Sequence, residues 1–280
     1  MDCVNHVSLD IITLTREEMG LPLDWATAEG WNPGLGDGDI FHNTDPGGFL
    51  VGRLGEEAVA VISAVTYDEA FGFIGLYIVK PEYRGRGYGM AMWRAALARL
   101  GSRNIGLDGV LAHQEDYRRS GFVWAHGNLR YRGVGGGEMP TGVVELETVP
   151  FGQVVAYDSA LFGQRRETFL RGWLRHGGKA VIKDDRLLGY GVIRPCRHGY
   201  KIAPLFADDP ETAERLLRAL VAGLSGQVFF LDPPRPHDMA LALAERYGMT
   251  PVFETARMYT RGDPGLPLQR IYGITSFELG

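Results

Sequence analysis

Two periods of apolar and polar positions alternate along the chain. The run GFLVGRLGEEAVAVISAV (Gly48 to Val65) carries two apolar stretches broken by Gly55-Glu56-Glu57, as two strands joined by a tight turn would be. A third strand is expected in GFIGLYIV (Gly72 to Val79), and Pro81 ends it. From residue 89 to 100 the period changes. Met90, Trp93, Leu97 and Leu100 fall at helical spacing. A short strand follows at Ile105 to Ala112, then a helical piece ending at Ser120-Gly121, then a strand from Phe122 to Tyr131.

RGVGGGEMPTG (Arg132 to Gly142) has no periodicity and reads as a linker. After it the order of elements repeats. A helical stretch from Phe151 to Leu174 leads to a hairpin turning at Asp184-Asp185. Strand and helix then alternate through YKIAPLF, DPETAERLLRALVAGL, QVFFLDPP and HDMALALAERYGM to a last strand ending in ARMYTRG. The copies can be matched locally, because Arg130 follows Gly121 by nine positions and Arg257 follows Gly248 by nine. The expectation is two tandem copies of one α/β unit with a mixed sheet, residues 1–135 and 143–280.

Composition narrows the function. A hydrophobic fraction of 45% over 280 residues is enough for two cores. A net charge of -5 with no basic run argues against nucleic acid as a partner. The N-terminus lacks a basic start followed by an apolar stretch, and no apolar run reaches the length of a membrane span. Cys3 and Cys196 are far apart and suggest neither a metal site nor a disulfide framework. A cytoplasmic protein, monomer or homodimer, is the expectation.

The chemistry concentrates in VKPEYRGRGYGMAMWRAAL (Val79 to Leu97). Glycines 85, 87 and 89 allow successive backbone N–H groups to form an anion nest, and the helix that follows adds its positive end. Arg84 and Arg86 can add charge-assisted bonds. A nucleoside-triphosphate loop would need Lys and then Ser or Thr after the last glycine, where Met90 and Ala91 stand. A dinucleotide fingerprint would have GxGxxG near the first strand. The spacing here is GxGxG after several strands.

The remaining pattern, Val-x-Pro followed by Arg84-x-x-Gly87-x-Gly89 and a helix, resembles the GCN5-related N-acetyltransferase family. YRRSGF (Tyr117 to Phe122) resembles that family's Tyr-x-x-x-Gly-Phe. AEGWNPG and IGLYIVKPEYRGRGYG together resemble a bacterial subgroup with two such domains in tandem, and the likeness continues through ETARMY and the terminal SFELG. The resemblance implies acetyl-CoA as co-substrate and no metal. Pantetheine would bond the backbone of Ile78 and Val79, and pyrophosphate the amides of Arg84, Gly85, Arg86, Gly87, Tyr88 and Gly89. A strand N–H at or beside Val79 would polarise the thioester, and Tyr117 would be the general acid toward the leaving thiolate. The segment His113-Gln114-Glu115-Asp116 is shorter than usual in the family. The general base stays open between Asp108, Glu29, His113 and a water relay. EGWNPGLGDGDIF (Glu29 to Phe41) is read either as an acceptor-lining loop, with Glu29, Trp31 and Asn32 as substrate-binding residues, or as an interhelix loop whose Trp plugs the core.

The second copy reads APLFADDPETAERLL where the nest should be, with Asp208 and Asp209 in place of glycine and arginine. Asp209-Pro210 has the look of a helix cap. Ala244 stands where Tyr117 would match. The expected function is therefore an acetyl-CoA-dependent N-acyltransferase, catalytic in its first half, acting on a small-molecule amine. The alternatives are a CoA-responsive binding module, a protein N-acetyltransferase and an aminoacyl-tRNA-dependent transferase. The intact nest and the acidic balance argue against the last.

Overall fold

The computed structural model describes residues 8–280, and Cys3 lies outside them. The first half runs β1 (Asp10–Thr13), α1 (Gly20–Ala28), α2 (Asp37–Thr44), β2 (Phe49–Leu54), β3 (Glu57–Thr66), β4 (Phe71–Val79), α3 (Tyr88–Leu100), β5 (Asn104–Val110), α4 (Gln114–Arg119) and β6 (Val123–Val134). The second repeats that order: β7 (Val144–Glu145), α5 (Phe151–Phe162), α6 (Glu167–Trp173), β8 (Gly178–Lys183), β9 (Arg186–Pro195), β10 (Tyr200–Ala207), α7 (Pro210–Val221), β11 (Val228–Leu231), α8 (Asp238–Arg246) and β12 (Thr250–Tyr259). A closing strand, β13 (Ile271–Gly273), has no counterpart among the described residues of the first half.

The element order and both hairpins follow the sequence pattern. Two details differ. The buried stripe of α3 is Met92, Trp93, Ala96 and Leu100, while Met90 is half exposed, so the stripe lies rotated from the expected one. The expected linker begins too early. Strand β6 runs on through Arg132, Gly133 and Val134, which pair with Phe230, Phe229 and Val228 of β11. Its lack of periodicity hid a strand that belongs to the second half's side of the sheet.

That pairing is half of an exchange. The strands form one sheet in the order β1-β2-β3-β4-β5-β12-β6-β11-β10-β9-β8-β7, with β13 on β10. The last strand of each copy has crossed over. First-half β5 pairs with second-half β12, and second-half β11 pairs with first-half β6. Between them β12 and β6 pair antiparallel over most of their length.

Two apolar clusters cover one face. One gathers Met92, Trp93 and Ala96 of α3 with Ile74 and Leu107, and the other gathers Leu216, Leu217 and Leu220 of α7 with Ile202 and Leu205. A third cluster is shared. Phe41 and Leu76 from the first half pack with Trp173, Tyr190 and Phe206 from the second, and with Ile274, Phe277 and Leu279 of the C-terminal tail. Every residue from 271 to 280 is buried.

Candidate functional site

Backbone conformation builds the nest. Gly85 and Gly87 sit at φ of 74° and 86°, where side chains with a Cβ are strained. Gly89 is required for a different reason. A Cβ there would come within 2.6 Å of the Tyr77 hydroxyl and 3.2 Å of Val79. Gly87 is the residue before α3, and no side chain caps that helix. Its first N–H groups therefore remain available to an anion.

Strand β4 opens beside the nest. It pairs in parallel with β5 from Phe71 to Ile74, ending at Ile74 against Leu107. Past that point its register against β3 shifts, and Leu76 adopts φ of 46°. The last turn of β4 thus leaves β5, and a wedge opens between them. The N–H of Lys80 bonds the Val59 carbonyl on β3. By the two-residue period of a strand, Ile78 also turns to β3, while the peptide groups of Tyr77 and Val79 face the wedge. Of the expected pair Ile78 and Val79, Val79 is the one directed there. Arg84 donates to the Val79 carbonyl at 2.9 Å and pairs with Glu29. Arg86 lies over the Tyr83 ring, 5.3 Å from its centre.

Tyr117, on α4, lies across the same wedge. Its ring is tilted on Trp93 with centroids 5.5 Å apart, and Tyr77 approaches the other part of Trp93 at 5.6 Å. A Cβ on Gly109 would fall 2.2 Å from the Tyr117 ring, so that glycine makes its place. Burial, and secondarily Tyr77, pushes the Tyr117 hydroxyl well above the range of a free phenol. It stays protonated and can serve as a donor.

The other site candidates are held in different ways. Asp108 receives Arg257 Nε at 2.9 Å and Nη2 at 2.5 Å, and Asn128 Nδ2 at 2.8 Å. Its side chain has no exposure, so both oxygens are committed to neighbours. Glu29 ends α1 and is tied to Arg84. His113 is exposed beside Asp116. Asn32 is buried and bonded to Cys196 and to both backbone groups of His198, which fastens the α1–α2 loop to the second half. Trp31 is partly buried against the shared core, and its carbonyl accepts from Arg130 at 2.9 Å. Asp37, the first residue of α2, is fully buried and paired with Arg194.

Asp108 and Arg257 have a mirror pair. Arg130 on β6 holds Asp232, just past β11, through two bonds of 2.8 and 2.7 Å. Each pair joins an exchanged strand to the copy that received it. The two arginines nine residues past Gly121 and Gly248 are thus the seals of the strand exchange.

The second copy has the same wedge, and its own chain fills it. Strand β10 pairs with β11 from Tyr200 to Ile202 and then leaves it. The edge so exposed is taken by β13, with Leu205 opposite Gly273 and Phe206 opposite Ile271. Ile274 N–H goes on to bond the Asp232 carbonyl at the end of β11. At the helix, Asp209 accepts the Thr212 N–H at 2.8 Å and caps α7. Asp208 is bonded by Arg270, Arg186 and Tyr157. The anion site thus carries the protein's own carboxylates.

Sequence patterns gave Tyr77, Asn128 and Lys201 no part in the site, and marked Trp93 only in the helical stripe, Glu278 only within the terminal SFELG and Arg257 only in the repeat.

Comparisons with known proteins agree with this fold. Residues 14–123 match the description "Acetyltransferase (GNAT) family", and residues 154–273 match "Acetyltransferase (GNAT) domain". A holothin acyltransferase from a Pseudoalteromonas strain is 31% identical over 271 residues, covering 94% of this chain and 92% of that protein. A putative acetyltransferase from Pyrococcus horikoshii superposes with a TM-score of 0.84 at 24% identity, covering 100% of this chain and 99% of that one. A tandem GNAT protein from the clavulanic acid biosynthesis pathway superposes with a TM-score of 0.63 at 15% identity, covering 90% and 98%.

Proposed function

The chain belongs to the GCN5-related N-acetyltransferase family as a tandem member, and we propose that it moves an acetyl group to the amine of a small molecule from acetyl-CoA bound by its first half alone. The observation that carries this reading is the contrast between the two wedges. One has an uncapped helix, a glycine nest and a free strand edge, and the other has each of these features filled by protein.

In this reading the pyrophosphate rests on the amides from Arg84 to Gly89, and the pantetheine adds to the Val79 edge of β4 as another strand would. Burial of the reacting end excludes water and strengthens the hydrogen bonds made there. The amine nitrogen attacks the thioester carbon. The new C–N bond forms as the C–S bond breaks, and the carbonyl oxygen is held by a β4 N–H. Tyr117 donates to the departing sulfur. The nitrogen loses its extra proton to a base on the tail side of β4. A small acceptor is favoured because the tail and the α1–α2 loop cover that side. It also agrees with the name of the Pseudoalteromonas relative, a holothin acyltransferase. No helix among the described residues is long and apolar enough to cross a membrane, and we place the enzyme in the cytoplasm.

The test is Tyr117→Phe. Turnover of acetyl-CoA with an amine panel should fall about a hundredfold, within the range for a lost general acid. Affinity for acetyl-CoA should hold. Equal loss of both would make Tyr117 a binding residue. Acetyl-CoA binding without turnover of any amine by the unaltered protein would replace the enzyme reading with a binding module.

A further inference from the structure

Charged side chains from both halves meet beneath the C-terminal tail. Arg130 is satisfied by Asp232, and Arg194 is paired with Asp37 at 2.9 and 3.1 Å. Two charges are left over. Lys201, on β10, is 3% exposed, and among the described residues its Nζ reaches only the Trp31 carbonyl at 3.4 Å, long for such a bond. Glu278, in the tail, is also 3% exposed, and its buried Oε2 has no hydrogen-bond partner among the described residues. The guanidinium Nη1 of Arg194 is likewise buried without a partner among them.

The Trp31 carbonyl that Lys201 approaches also accepts from Arg130, and Arg130 lies over Phe277, the residue beside Glu278. Burial, helped by Arg130, lowers the Lys201 ammonium to about 8, and Glu278 opposes that shift. Even so, they do not form an ion pair. Buried opposite charges without partners are costly, and closing the pair would recover part of that cost. The framework holds them apart. Lys201 is fixed between β9 and β11. The tail is pinned by the Tyr67 hydroxyl on the Leu279 carbonyl and by Ser276 on the Leu279 N–H. Arg130 lies over the Phe277 ring, 4.6 Å from its centre.

The place of Glu278 relates this gap to the reaction. Its carbonyl sits so close over Gly75 that a Cβ there would approach within 2.2 Å. Gly75 is the first residue of β4 beyond its last pair with β5. The tail therefore touches β4 where the wedge begins.

We propose that the gap between Lys201 and Glu278 is the acceptor pocket, and that its acceptor is a small molecule carrying an amine and a carboxylate or carbonyl oxygen a few atoms apart. This rests on the N-acyltransferase reading. The amine faces Glu278 beside β4, and the oxygen faces Lys201 and the free nitrogen of Arg194. Glu278 takes the proton that the ammonium sheds, and the neutral nitrogen then attacks. Asp108 and Glu29, tied to Arg257 and Arg84, are left to their structural pairs.

The experiment uses the full chain, with glycinamide and phenylalanine amide as probes against ethylamine and phenethylamine. Thiol release from acetyl-CoA gives kcat/KM, and acetyl-CoA titration with melting temperature reports on the fold. The unaltered enzyme should prefer the amides at least tenfold. Lys201→Met should erase that preference by lowering the amide rates more than the alkylamine rates. Glu278→Gln should lower kcat/KM for all four amines about a hundredfold or more. Acetyl-CoA affinity should hold in both variants. An unchanged preference in Lys201→Met, or full activity in Glu278→Gln, would overturn the assignment and leave the N-acyltransferase reading intact. So would a crystal structure with bound acceptor in which only water bridges the two groups. Binding of acetyl-CoA without turnover of any of a broad amine panel would remove both readings together.

Discussion

The two halves share one element order and differ in what occupies the wedge beside their central strands. In the first, β4 leaves β5 and its outer edge stays unpaired beyond Ile74. In the second, β10 leaves β11 and β13 closes the gap. The helices that follow differ in the same sense. Gly87 leaves the start of α3 uncapped, whereas Asp209 caps α7 with its own carboxylate. The same fold can therefore keep or lose a nucleotide site by local means. A cap and a short added strand satisfy internally the groups that a ligand would otherwise satisfy.

The comparison also shows that the halves are not independent. Their last strands are exchanged, and a buried ion pair seals each crossing. Asp108→Asn should break this most severely. It leaves the Arg257 guanidinium buried without its counter-charge, which costs about 3–5 kcal/mol. Asp232→Asn should cost about the same by symmetry. Urea denaturation of both variants checks this, and a loss confined to one of them would show that the two crossings are not equivalent.

A smaller effect separates the two helix starts. Asp209→Ala removes the α7 cap and should cost about 1 kcal/mol of stability. It should leave acetyl-CoA affinity untouched, because the second wedge stays filled by β13. Titration with acetyl-CoA after the substitution reads this. A new binding event would mean that the carboxylate alone closes the second site.

Much of this was legible in the sequence because it is local. Helical and strand periods gave the element order. Gly85, Gly87 and Gly89 marked the nest, since positive φ at the first two and the Tyr77 and Val79 side chains packed against the third demand glycine there. Asp209-Pro210 marked the cap. The exchange of β6 and β12 was hidden because either strand satisfies the pattern of either edge, and the choice between them is made across the whole sheet. Arg130 and Arg257 were visible as a repeat, but not as the two seals. Asp108 looked like a candidate base because its partner is 149 residues away. Lys201 and Glu278 resemble ordinary surface charges until the tail covers them. The turn of Leu76 into positive φ left no mark at all, since leucine does not advertise such a position.

The central claim is that one wedge binds the co-substrate and the other cannot. Calorimetric titration of the intact chain with acetyl-CoA tests it most directly. One site per chain is predicted, and Gly87→Val should weaken it at least tenfold, because a β-branched residue resists φ of 86° at the start of α3. Two sites per chain, or one site indifferent to Gly87→Val, would contradict it.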